Sequence, residues 1–542
     1  MMKKHLLILT FSSCLCATGG FHYEIPPNFG LQFGKGMVHH PVSTNNEEAQ
    51  TYFDQGFSYL YAFNHDAAYW SFKKASELDP NLAMAYWGMG YAIGPNINTE
   101  IDIAQEKRAY DFAQQAMKLS SNASANEKAY IEALSKRYSN LDQPRNAQLN
   151  IDYKNGMKKV VEQFPDDLDA ATLYAESILD LSPWNQWDEN KNPREGTMEA
   201  VETLQSVLKR DPLHLGANHF YIHSVEASSH PEWALPSAER LTTLAPEAGH
   251  LLHMPSHIFN PVGDQHATTL TNLNAIQADR QYMAQFGQYG DYANHYYTHV
   301  LYFLSSTHAL EGNYKDAIAS SELLSNYVTP HFDHMPNHEF AIAAPFLTDL
   351  KFHNWQSILQ RPLPSPQFVQ TTVIAHFAKA MANASLGYPE KAKKEQKLFL
   401  ESKSKIAQEA MWGYNPATRV MELADLTLMA TMAEQNKEPK LAISYLEEAE
   451  KKYKNLNYNE PEDWFLPIFT QKGGIYLRNG QYPEAELAFR EELNLHPRNA
   501  RALFGLMTTL RQQNKLWDAY WAETGFKNAW QYSTVPLNVS NL

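Results

Sequence analysis

The chain has 542 residues, 44% of them hydrophobic, and a formal net charge of −15. That length exceeds what one compact core supports, so the chain needs either several domains or a fold that lengthens by stacking. The acidic balance, with no Lys/Arg-rich run, speaks against nucleic acid and anionic membrane surfaces as partners.

The first residues read as an export signal. Lys3 and Lys4 precede a short apolar run, Leu6 to Phe11, and small residues follow to Gly20. Ala17-Thr18-Gly19 suits a signal peptidase, and the apolar run is too short to span a bilayer. Residues 1–20 are therefore expected to direct the chain to the periplasm or outside the cell. Phe11-Ser12-Ser13-Cys14 also resembles a lipoprotein box, although such a box usually opens with an aliphatic residue. A lipid anchor at Cys14, giving a membrane-attached lipoprotein, is the alternative to plain export. Both cysteines, Cys14 and Cys16, lie in this segment, so the processed chain has no disulfide and no thiol nucleophile. No later stretch is apolar for long enough to form a membrane helix.

Residues 21–43 read as an extended arm, and a repeat follows. Searching at a period near 34 residues places Gly56, Tyr59, Ala68, Phe72, Ala75 and Pro80 at the signature positions of a tetratricopeptide unit. Small residues let two helices approach, aromatics fill the gaps, and the proline stops the second helix. Thr44-Asn45-Asn46-Glu47 is a capping-box pattern that would start the first helix. The next unit opens with Ala83, Tyr86 and Gly90. The register returns in degenerate form at Pro212, at Ala234, Ala238 and Pro246, at Gly312, Tyr314 and Ala317, at Gly387 and Ala392, and at Ala442 and Ala449. It is clear again at Gly473, Tyr476, Gly480, Ala485, Phe489 and Pro497. Alternating β-branched runs are nearly absent. The expected fold is all-α, a right-handed α-solenoid of tetratricopeptide-type hairpins. One array is expected over 44–361, a Pro-rich joint at 362–370, and a second array over 371–542. Gly94 to Asn98, Ser182 to Pro193 and Tyr458 to Trp464 read as loops or insertions. Trp70, Phe72, Tyr86 and Trp87 read as inter-helix core, and Glu447 to Lys452 as a solvated helix face.

Of the 22 histidines, 14 lie between His214 and His338, under a quarter of the chain. Their spacing is informative. His219, His223 and Glu226 stand at i, i+4 and i+7, which is one face of a helix. Counting from Pro212, they fall on the face of a tetratricopeptide hairpin that lines the concave groove. Counting from Pro246, His250, His253 and His257 fall on the same face one repeat later. Pro255 interrupts this second row, so a helix starting there would leave His250 and His253 in a preceding bend. His295 and His299 form a third i,i+4 pair. His253-Met254-Pro255-Ser256-His257 returns as His334-Met335-Pro336-Asn337-His338.

Neutral imidazoles with one carboxylate suit zinc, iron or copper. The competing reading is that these histidines are satisfied groove or core residues, bonded to backbone and to neighbours such as Tyr221, Tyr296 and Tyr297. Asp264 and Asp291 are nearby carboxylates without an assigned role. No His-Glu-x-x-His, Walker loop or Gly-x-Ser-x-Gly elbow occurs, and Gly34-Lys35-Gly36 lacks the flanks of a phosphate loop. Two functions follow as expectations. The groove holds a transition metal or a small polar ligand, or else it is an interaction scaffold for a protein or peptide, in which the histidines supply hydrogen bonds.

Several stretches together resemble a family of bacterial tetratricopeptide-repeat proteins to which no activity is assigned. They are Phe63-Asn64-His65-Asp66, Ala83 to Gly88, Gly94-Pro95-Asn96-Ile97-Asn98, His219 to His223 with Glu226, Gly249 to Ile258, and Ala502 to Leu506. The resemblance runs over nearly the whole processed chain. It implies a fold and a site but no reaction. The sequence departs from it at Tyr302, where the family pattern would place a further histidine.

Overall fold

The computed structural model describes residues 21–32, 38–143, 145–287, 290 and 292–542. Residues 1–20, where the export signal and Cys14 and Cys16 are expected, together with Gly34-Lys35-Gly36, Asp291 and the His334 side chain, lie outside the described part.

The chain folds as consecutive helical hairpins. The first five are α1 (Glu47–Tyr61) with α2 (His65–Leu78), α3 (Ala83–Ala92) with α4 (Ile103–Leu119), α5 (Ala125–Leu134) with α6 (Gln148–Gln163), α7 (Leu168–Leu179) with α8 (Thr197–Arg210), and α9 (Leu215–Val225) with α10 (Leu235–Leu244). A broken helix, α11 (Gly249–His253) and α12 (Ser256–Phe259), then packs on the long α13 (Gln265–Phe286). Next come α14 (Tyr297–Leu310) with α15 (Tyr314–Val328), and α16 (Glu339–Lys351) with α17 (Trp355–Gln360). The remaining pairs are α18 (Val369–Ser385) with α19 (Pro389–Lys403), α20 (Ala417–Gln435) with α21 (Pro439–Tyr453), α22 (Ile468–Arg478) with α23 (Tyr482–Leu495), and α24 (Ala500–Gln512) with α25 (Leu516–Ala529). First helices of successive hairpins touch one another, so the whole is an all-α solenoid. Among the described residues the only sheet is a two-residue ladder, Met411–Trp412 against Asn415–Pro416.

The signature residues do what their chemistry requires. A Cβ on Gly56 would stand 2.7 Å from the Phe72 ring, and one on Gly88 2.5 Å from the same ring. Phe489 stands in the same way between Gly473 and Gly505, where a Cβ would approach to 2.7 and 2.3 Å. One aromatic is thus clamped between the first helices of two successive units at both ends of the array. Hairpin turns reuse one left-handed residue, at Phe63 (φ 53°), Gly312 (78°), His353 (54°), Gly387 (77°), Lys437 (62°), Gly480 (73°) and Asn514 (58°). The expected capping box at Thr44 is corrected. Asn46 caps α1, accepting from the amides of Glu48 and Ala49, while the Thr44 hydroxyl donates to Asp79.

Curvature positions the site. The superhelix brings α9 back onto α1, and the connection from α21 to α22 reaches the histidine-bearing helices. Residues 21–32 lie along α2, where the Trp70 indole N–H donates to the His22 carbonyl at 2.7 Å. Among the described residues, no helix is long and apolar enough to cross a membrane.

Candidate metal centre

α9, α11, α12 and α14 bring six imidazoles together as two adjoining sets. In the first, ligating nitrogens of His219, His223 and His250 lie within 4.8 Å of one another; in the second, those of His253, His257 and His299 do. Spacing along the helices explains the pairing. His219 and His223 share one face of α9, with ring centres 4.8 Å apart. α11 carries His250 and His253. The turn through Met254 and Pro255 then starts α12, which sets the His257 ring nearly perpendicular to that of His253, at 4.8 Å. His250 and His253 are therefore helical residues, and the expected preceding bend is corrected: α11 forms before Pro255 interrupts it.

The outer nitrogens are held by acceptors. His219 Nδ1 donates to the Tyr61 carbonyl at 2.7 Å, and His223 Nδ1 to Glu226 Oε1 at 2.8 Å. His253 Nδ1 donates to Asn272 Oδ1 at 2.6 Å; Asn272 is oriented by its own amide donating to the Thr268 carbonyl at 2.8 Å. His257 Nδ1 stands 2.6 Å from Glu226 Oε2. The three hydrogen bonds fix the proton of His219, His223 and His253 on Nδ1 and leave their Nε2 lone pairs to face inward; His257 Nδ1 and Glu226 Oε2, though close, are not aligned as a hydrogen bond.

Inside, Nε2 meets Nε2. The separations are 3.1 Å for His219 and His250, 2.9 Å for His253 and His257, and 3.2 Å for His257 and His299. At 2.9 Å, His253 and His257 either share a hydrogen, one Nε2 donating to the other, or hold a metal ion between them. Tetrahedral coordination at zinc–nitrogen distances near 2.0–2.1 Å sets nitrogens about 3.3 Å apart, close to what the rings adopt here. His223 Nε2 and His250 Nδ1 are buried without a hydrogen-bond partner.

The electrostatics agree with the geometry. Burial, reinforced by neighbouring imidazoles, pushes His219, His250 and His299 well below the usual histidine range; it does the same for His253 despite its bond to Asn272. These rings are neutral at pH 7, the form in which imidazole can ligate a metal. His257 differs: burial opposes its charge, but Glu226 outweighs burial and raises it. Burial also opposes ionisation of Glu226, yet His257 and His223 bring its carboxyl down to about 2. Glu460 goes the other way. Burial, with the Glu226 charge adding to it, lifts its carboxyl to about 8 against the pull of His257.

The site is enclosed, whereas the sequence pattern places it on an open concave face. His219, His223, His250, His253 and His257 are each at most 4% exposed, and His299 alone of the six is half-buried. Two insertions close it. Trp184, from the Ser182–Pro193 segment, meets His223 edge-on at 5.7 Å and stacks on Tyr414 at 5.5 Å. The Tyr458–Trp464 loop brings Glu460 Oε2 to 3.4 Å from His257 Nδ1. Lys191 ties the two insertions together, donating to the Ala227 carbonyl at 2.9 Å with its ammonium over the Tyr458 ring. Phe303 packs beneath His253 and His257 at 5.0 and 5.1 Å, and Phe63 lies against His219 at 4.6 Å.

Not every expected residue joins the centre. Glu226 stands behind His223 and His257, on their Nδ1 atoms. His295 lies apart from both sets, in a π-helical turn over 292–296, its ring against His338 at 5.8 Å. Tyr302, at the departure from the family pattern, donates to the Glu462 carbonyl on the closing loop. Elsewhere in the histidine-rich span, His214 lies 3.2 Å from Asp169 and His266 lies 2.9 Å from Glu311, as ordinary polar pairs. Sequence reasoning missed Asn272, Glu460, Trp184 and Phe63 as parts of the site. Phe63 was visible only inside the Phe63-Asn64-His65-Asp66 motif. For Glu460 nothing local carried a signal, because its partner is distant in the chain.

Fold and site together define a class: a helical-repeat scaffold with a buried polyhistidine centre. No protein-family model matches the chain, and no curated protein matches it. Solved structures with a similar fold include human IFIT1 as a dimer with m7Gppp-AAAA. It is 12% identical, with a TM-score of 0.34, over 82% of this chain and 90% of that one. Yeast Tom70 is 13% identical, with a TM-score of 0.30, over 89% of this chain and 99% of that one. The TPR domain of P58(IPK) is 12% identical, with a TM-score of 0.22, over 86% of this chain and 98% of that one.

Proposed function

We propose that this chain is an exported helical-repeat protein that binds a first-row transition metal through the imidazole nitrogens of its central hairpins. The observation that carries this reading is the set of Nδ1 contacts. The Tyr61 carbonyl, Glu226 and Asn272 accept from the Nδ1 atoms of His219, His223 and His253, and Glu226 stands against that of His257; Nε2 of His219 then faces that of His250 at 3.1 Å, and Nε2 of His253 faces that of His257 at 2.9 Å. A metal-free core can satisfy facing Nε2 atoms by sharing a hydrogen; the metal is favoured because the backbone carbonyl, carboxylate and amide behind the rings are the partners that raise imidazole basicity toward a metal. Zinc, copper and iron all suit neutral nitrogen donors; three imidazoles on one ion leave a position for a small ligand. Peptide capture is less favoured at this place, because Trp184 and the Tyr458–Trp464 loop occupy the groove above the histidines.

The test is elemental analysis of protein purified without an affinity tag, before and after reconstitution with zinc, copper and iron. Near-stoichiometric metal that resists dialysis supports the reading. Protein that retains none of the three ions after reconstitution overturns it.

A further inference from the structure

We infer that the centre is a pair site, binding two metal ions side by side, one in each histidine set, with the single carboxylate of Glu226 serving both. This deepens the metal-binding reading and rests on it. Six imidazoles overfill one tetrahedral ion, which takes four ligands. They divide evenly instead: His219, His223 and His250 form one set, and His253, His257 and His299 the other, while Nδ1 of His257 groups on its outer side with Glu226 and Glu460.

Glu226 joins them. Its Oε1 lies 2.8 Å from His223 Nδ1 and its Oε2 2.6 Å from His257 Nδ1, so each oxygen backs one ring of each set. In an imidazole the two nitrogens are on opposite sides of Cε1. Both rings therefore present Nε2 away from the shared carboxylate, one into each set. The remaining rings have separate supports: the Tyr61 carbonyl for His219, and Asn272 for His253. Nothing but Glu226 is shared, so each set can be removed without dismantling the other, while loss of the carboxylate must weaken both. Sets of three imidazoles leave each ion a coordination position for a small oxygen ligand such as hydroxide.

Cobalt(II), followed by its visible ligand-field bands, is the probe for the full processed chain. The wild type should take two equivalents. The His219→Ala/His250→Ala variant and the His253→Ala/His299→Ala variant should each take one. Glu226→Gln should still reach two equivalents, but with both affinities weaker by roughly 10- to 100-fold, as for other outer-shell partners. A wild type that saturates at one equivalent overturns the pair, as does loss of all binding in either double variant when its helical circular dichroism is unchanged. If a double variant fails to fold, the wild-type stoichiometry and the Glu226→Gln titration still decide. No binding by any form overturns the metal reading itself.

Discussion

Phe63 pairs backbone strain with a place in the site, and replacing it by glycine separates the two. Its φ is 53°, in the left-handed region that costs a non-glycine residue about 1–2 kcal/mol. Three of the equivalent hairpin turns, at Gly312, Gly387 and Gly480, avoid that cost with glycine. Phe63 is nevertheless 2% exposed, and its ring lies 4.6 Å from His219, 5.5 Å from His250 and 5.8 Å from His223, centre to centre. Truncating a buried phenylalanine costs about 3–5 kcal/mol. Glycine adds about 0.4–1 kcal/mol through the freer unfolded chain. Against these, Phe63→Gly recovers the 1–2 kcal/mol of strain, leaving a net loss of about 1.4–5 kcal/mol. Urea unfolding, followed by circular dichroism on metal-free protein, measures it as a lower midpoint. Because the ring buttresses the first histidine set, metal affinity should fall as well. A Phe63→Gly protein as stable as the native one would refute the reasoning, showing that the ring contacts contribute no more than the strain they offset.

Gly505→Ala places a methyl 2.3 Å from the Phe489 ring, so it should destabilise by about 1–3 kcal/mol, read as a lower thermal midpoint. Arg137 is fully buried and its guanidinium donates to Asp180 at 2.6 Å and to the Pro95 carbonyl at 2.9 Å, so Arg137→Met should cost about 1–3 kcal/mol in the same assay by leaving both buried acceptors without a donor. Trp184→Ala should open the cover over His223 and speed metal loss to a chelator, with helix content unchanged in circular dichroism; unchanged release would show that Trp184 does not gate the site. His40 anchors residues 38–46 to α7 through Asp169 at 2.7 Å. Burial opposes its charge, but Asp169 raises it above the usual 6.5. A raised histidine contributes stability that is complete below 6.5 and is lost as pH rises through the higher folded value. Hydrogen exchange of residues 38–46 should therefore show weaker protection relative to α7 above that range, and protection that grows with pH would contradict the assignment.

The repeat was legible because its chemistry is local. Gly56, Phe72, Gly473 and Phe489 sit at fixed offsets, and the structure puts each aromatic against the glycines that admit it. His219 and His223 were legible for the same reason, since i,i+4 spacing on a helix settles a shared face. What escaped was set by long-range geometry. The partners of the imidazoles are a backbone carbonyl at Tyr61, an amide at Asn272 and a carboxyl at Glu460; they meet the rings only because the superhelix returns α9 to α1 and the closing loop onto α12. Backbone acceptors leave no mark in side-chain spacing. Of the i,i+4 pair His295 and His299, only His299 joins a histidine set; His295 lies in the π-helical turn that precedes α14, with its ring against His338.

The central claim is that inward-facing imidazole nitrogens hold a metal, and X-ray absorption at the edge of the reconstituted ion tests it most directly. For zinc, the account predicts a first shell of nitrogen at about 2.0–2.1 Å with the outer-shell pattern of several histidine rings. Loss of His253 and His257 should reduce that pattern. A first shell of oxygen alone, or the same spectrum after His219, His223, His253 and His257 are all replaced, would contradict it.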